Sequence, residues 1–88
     1  MQSASAHPPF AGTRIVPKAE KKYQRGLQQM QAGDWRGAEK SFRAAIDHSP
    51  RDPMFWVNLA QALRKQGRAE AAVEAARRSV SLDPALAV

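Results

Sequence analysis

The sequence predicts an all-α chain built from two similar helical hairpins, and three observations carry that prediction. The chain repeats itself at a spacing of 34 residues; apolar residues recur at intervals of three and four within each copy; and a glycine interrupts the helical pattern midway through both. Shifted by that spacing, Gly33 falls on Gly67, Ala38 on Ala72 and Pro50 on Pro84. Ala45 falls on Ser79 and Ile46 on Val80, while Ser49-Pro50 and Asp83-Pro84 mark equivalent ends. Alanine-rich amphipathic helices match one another easily by chance. A turn glycine and a terminal proline coinciding in both copies at one spacing are much harder to obtain that way.

The elements follow in chain order. Residues 1–17 are rich in Ser, Ala, Pro and Gly and read as a flexible, disordered arm. Its Phe10, Ile15 and Val16 give it the means to fold back onto the helices or to reach a neighbour. Two units are expected over 18–86, at 19–52 and 53–86. The first helix, roughly Lys18 to Ala32, sets Tyr23, Gly26, Leu27 and Met30 on a single face. Gly33 suits the left-handed conformation that closes a helix, and Asp34 can cap the next one by accepting from its first free amides. The second helix, Trp35 to His48, carries Trp35, Ala38, Phe42, Ala45 and Ile46 on one stripe, and Pro50 stops it. In the second unit Asp52 is the expected N-cap, with Pro53 at the first helical position and Phe55, Trp56, Leu59, Ala60 and Leu63 as the buried stripe. Gln66-Gly67 ends that helix. The last helix is expected from Arg68 to Leu82, with Ala69, Ala72, Val73, Ala76 and Val80 as its contact face. Small side chains let such a face approach closely but bring little apolar area.

Composition bounds what such a chain can do. At 88 residues it is one domain with a thin core, since a chain of this size buries only about 60% of its unfolded surface. There is no cysteine, so packing alone must stabilise it, which fits a reducing compartment. The N-terminus has neither the basic start nor the apolar run of a signal peptide, and no stretch approaches the about 20 apolar residues of a membrane span. A cytoplasmic location is the default expectation. Catalysis is not expected, and neither is a cofactor or metal site. The two histidines are His7 in the arm and His48 at a helix end; Asp47, His48 and Ser49 are too consecutive to converge; and no glycine-rich phosphate loop occurs. The net charge is +6, from fourteen Lys and Arg against eight Asp and Glu, which raises the question of an acidic partner. The charge is spread over every segment, with Lys18, Lys21, Lys22 and Arg25 opening the first helix and Arg64, Lys65 and Arg68 closing the third. A basic nucleic-acid-binding helical domain is the alternative of a different class. Against it, both tryptophans lie on expected buried stripes and no helix offers a dense basic face.

The quoted residues resemble the tetratricopeptide repeat, a 34-residue helix-turn-helix unit with tryptophan, leucine and a small residue in its first helix and alanine, phenylalanine and proline in its second. The second unit carries Trp56, Leu59, Ala60, Gly67, Ala72 and Pro84; the first carries Gly26, Gly33, Asp34, Trp35, Ala38, Phe42, Ala45 and Pro50. Lys22, Arg25 and Gln29 replace large apolar residues, as on a terminal helix facing solvent. Ala76 and Ser79 depart from the usual Phe and Ala of the last helix.

The resemblance implies a superhelix fragment whose first helices line a concave, protein-binding face. It therefore implies an adaptor or scaffold module that binds a peptide or helix of another protein, which the charge makes an acidic candidate. The implied contact residues are Tyr23, Gln24 and Leu27 on one helix and Asn58, Gln61, Arg64 and Lys65 on the other, with Glu20, Gln31 and Val57 beside them. Asn58 stands where the family often holds a ligand main chain through an amide that both donates and accepts. A clamp for a terminal carboxylate is not expected, because Tyr23 and Leu27 occupy its first-unit positions. The family also implies a supporting or oligomerisation role in a larger enzyme or secretion component. Such arrays usually need roughly three units, so something is expected to cover the last helix. The candidates are further repeats beyond Val88, the arm, or a homodimer that hides Val73, Val80, Leu82 and Leu86.

Overall fold

A computed structural model describes residues 16–87 of the chain. The expected arm lies outside the described residues except for Val16 and Pro17. Four helices follow in order: α1 (Pro17–Gln31), α2 (Trp35–His48), α3 (Pro53–Lys65) and α4 (Ala69–Leu82), then a single 3-10 turn at Pro84–Ala87. α1 packs on α2, α3 on α4, and α2 on α3, giving two hairpins side by side. Pro17 opens α1 one residue ahead of the expected start, at a position where its missing N–H costs nothing.

The two hairpin turns are alike bond for bond. Gly33 and Gly67 have φ of 80° and 79°, a region open to glycine and strained for other residues. The Gly33 amide donates to Met30 O and the Asp34 amide to Gln29 O; one unit later, Gly67 donates to Arg64 O and Arg68 to Leu63 O. Both pairs satisfy carbonyls that the helix end leaves without partners. Asp34 then caps α2 by accepting from the Gly37 amide at 2.9 Å, and Asp52 caps α3 by accepting from Met54 at 3.0 Å. Arg68, in the place of Asp34, makes no side-chain cap.

The core lies where the hairpins meet. Phe42, Leu59 and Leu63 are its largest fully buried side chains, and they cluster with Ala38, Ala62, Ala72 and Ala75. A second cluster of Ala19, Ala45 and Phe55 seals the other end, and Tyr23 and Ile46 pack against both. α1 approaches α2 closely because position 26 has no side chain: a Cβ on Gly26 would stand 2.5 Å from the Phe42 ring.

Two expectations about burial need correction. On α4 the buried residues are Ala72, Ala75 and Ser79, whereas Ala69, Val73 and Ala76 are exposed. The expected stripe combined two faces, one packed on α3 and one left exposed among the described residues. Neither tryptophan is fully buried. Trp56 keeps its indole N–H at the surface, donating to Pro50 O at 2.8 Å, with the Arg78 guanidinium 5.4 Å above its ring. Trp35 lies under the Lys65 ammonium at 5.5 Å.

Candidate partner-binding surface

α1 and α3 are the first helices of their hairpins, and one side-chain joint links them. The Tyr23 ring lies 4.9 Å from that of Phe55 and 5.8 Å from that of Phe42. Its hydroxyl accepts a hydrogen bond from Asn58 Nδ2 at 3.1 Å, and the same amide donates to Met54 O at 3.0 Å. Burial raises the Tyr23 pKa above its ordinary value, as do the charges of Asp52 and Glu20, while the Asn58 bond acts in the opposite direction. The phenol therefore stays neutral through the physiological range and serves as a packing and hydrogen-bonding group.

The sequence-expected contact residues fall into separate sets. Tyr23 and Asn58 are brought together, but with each other. Leu27 is half-buried against the main core cluster. Gln24 is exposed and donates to Glu20 Oε2 at 2.8 Å. Gln61, Arg64 and Lys65 are exposed on α3; Lys65 reaches toward Trp35, whereas Gln61 and Arg64 edge a groove of about 350 Å³ between α3 and α4. We expect Tyr23→Phe to cost about 1 kcal/mol in urea unfolding. The ring packing survives, and Asn58 keeps its bond to Met54.

A polar joint that sequence reading missed ties the hairpins on another side. Glu39 is only 8% exposed. Its carboxylate accepts from Arg68 at 2.7 Å, Arg43 at 2.9 Å and Gln66 Nε2 at 3.0 Å. Burial by itself would raise its pKa. The bonds from Gln66 and Arg43, together with the charges of Arg68 and Arg43, outweigh burial and hold it below the ordinary carboxylate value. Gln66 and Arg68 flank the turn glycine of the second hairpin, so Glu39 grips that turn from α2. A glutamate at the fifth position of α2 gives no hint of partners 27 and 29 residues away.

Two repeated hairpins with matching glycine turns, and the packing of Phe42 and Phe55 on Tyr23, agree with a family model. The model for the tetratricopeptide repeat matches residues 23–87. The chain belongs to the tetratricopeptide repeat family. A comparison with curated proteins found no matching relative. Tetratricopeptide repeat domains generally mediate protein–protein interactions and are typically non-catalytic. Among the described residues, no helix is long and apolar enough to cross a membrane, and no group of three or more His, Asp or Glu is placed to hold a metal ion.

Proposed function

We propose that this tetratricopeptide repeat domain is a cytoplasmic adaptor module that holds an acidic peptide or helix of a partner protein on the surface formed by α1 and α3. The observation that carries this reading is the set of exposed groups on the two helices that the Tyr23–Asn58 joint links. Gln24, Gln61, Arg64 and Lys65 are exposed on the two first helices, and the ion pairs among the described residues use other cations, Arg43 and Arg68, both on Glu39. Amides there can bond a ligand main chain, and two adjacent cations favour carboxylates. Asn58 acts mainly by fixing Tyr23 and α1 against α3, with its carbonyl oxygen left to accept a ligand N–H.

The test is titration of a fluorescein-labelled, Glu-rich peptide with interspersed leucines, read by anisotropy. The double reversal Arg64→Glu/Lys65→Glu is expected to weaken binding at least about tenfold, with a modest salt dependence. Unchanged affinity in that variant would sink the proposal. A steep salt slope with single-stranded nucleic acid binding more tightly than the peptide would favour the alternative class instead.

A further inference from the structure

Lys22, Arg25 and Gln29 follow one another on α1 at spacings of three and four, so they share a face. With Lys40, Ser41 and Ala44 of α2 they line a hollow of about 370 Å³ that no residue of the second hairpin enters. Its three cations meet no carboxylate in the lining, and the ion pairs among the described residues are made by Arg43 and Arg68. One hydrogen bond joins the two helices here. Ser41, only 7% exposed, donates from its hydroxyl to Gln29 Oε1 at 2.6 Å. That bond fixes the Gln29 amide and leaves its Nε2 donors without an acceptor among the described residues. Gly37, also in the lining, gives this amide room: a Cβ there would stand 2.8 Å from Nε2. The Asp34 carboxylate beside Gly37 is engaged at the start of α2, accepting from the Gly37 amide at 2.9 Å.

From this arrangement we propose that the α1–α2 hollow binds the phosphate of a phosphoserine or phosphothreonine in a partner polypeptide. Such a group carries close to two negative charges at neutral pH and three strong acceptor oxygens. The hollow offers three cations and a fixed amide donor in return. Arg25 can engage two phosphate oxygens at once through its planar fork, whereas Lys22 and Lys40 act as point charges. What the walls lack narrows the source of the phosphate. No aromatic ring lines the hollow for a base to stack on, and no apolar side chain larger than that of Ala44 is there for an acyl chain to meet. Contact is therefore with the phosphate alone, which suits a polypeptide whose flanking residues lie outside the hollow. The site shares no residue with the α1–α3 surface proposed above and does not depend on it.

The probe is a fluorescein-labelled peptide of Gly, Ala and Ser with one central phosphoserine, titrated against the full chain by anisotropy beside the same peptide with Ser or Glu at that place. The phosphorylated form is expected to bind at least about tenfold more tightly than either. Arg25→Gln and Lys40→Gln should each weaken it about fivefold or more, and Arg64→Gln/Lys65→Gln should leave it within about twofold. Arg25→Lys should recover only part of the loss, because it keeps the charge but not the fork. Inorganic phosphate should displace the peptide. Arg25 and Lys40 are exposed, so unchanged helical circular dichroism will confirm that the variants fold. Equal affinity for the phosphorylated and unphosphorylated peptides would overturn the proposal, as would unchanged affinity in Arg25→Gln and Lys40→Gln. Loss of binding in Arg64→Gln/Lys65→Gln instead would also overturn it, by moving the phosphate to the α1–α3 surface. So would oligothymidylate or phosphatidic acid vesicles that bind more tightly than the phosphopeptide and lose that binding in Arg25→Gln, which would make a nucleic acid or a lipid surface the ligand.

Discussion

Truncating Phe42 to alanine should leave most of the chain unfolded at room temperature. Phe42 has no exposed surface and is among the three largest fully buried side chains. It fills the space that Gly26 leaves on α1, stacks on Tyr23 and joins Leu59 and Leu63 of α3. The substitution therefore empties the contact within the first hairpin and the contact between the hairpins together. Burying and then deleting a phenylalanine of this kind costs about 3–5 kcal/mol, and a domain of this size has a total stability near about 5 kcal/mol. Circular dichroism at 222 nm during urea unfolding is the check. Loss of the folded baseline is expected, and a midpoint shifted only slightly would mean that the two hairpins do not share a core.

The second large effect is on acid stability, through Glu39. Replacement by glutamine should cost about 1–3 kcal/mol at neutral pH. The lower part of that range is favoured because Arg43 and Arg68 have half-exposed side chains and regain water when released. The folded carboxyl titrates below the ordinary 4.5, so between the two values the unfolded chain binds more protons and stability is lost as pH is lowered. The Glu39 contribution is complete above the ordinary value and is lost as pH drops through the lowered, folded one. The gap between wild type and Glu39→Gln in urea unfolding should accordingly be constant from pH 7 to pH 5 and shrink below 4.5. A gap that stays constant at lower pH would show that the carboxylate charge contributes nothing.

Most of the fold was legible because its signals are local. Gly33, Asp34, Asp52 and Pro53 act within one turn of their own positions, and the 34-residue spacing announces the duplication. What was not legible depends on which surface meets which. Helical periodicity showed that Ala72, Val73 and Ala76 are apolar, but it could not tell the face packed on α3 from the face left open. The same limit applies to the binding residues. The family resemblance implies both Tyr23 and Asn58 as ligand contacts, and the structure bonds them to each other, 35 positions apart. Glu39 escaped notice because nothing in its neighbourhood distinguishes a surface glutamate from one whose partners lie in the next hairpin.

If partners are held on the α1–α3 surface, amide chemical-shift changes in the 15N-labelled chain will map to that surface as the Glu-rich peptide is added. Changes concentrated at Gln24, Gln61, Arg64 and Lys65, with Asn58 responding and Arg43 on α2 and Arg77 on α4 unaffected, are the expected result. Changes confined to α2 and α4, or none at a peptide concentration that saturates the anisotropy signal, would contradict it.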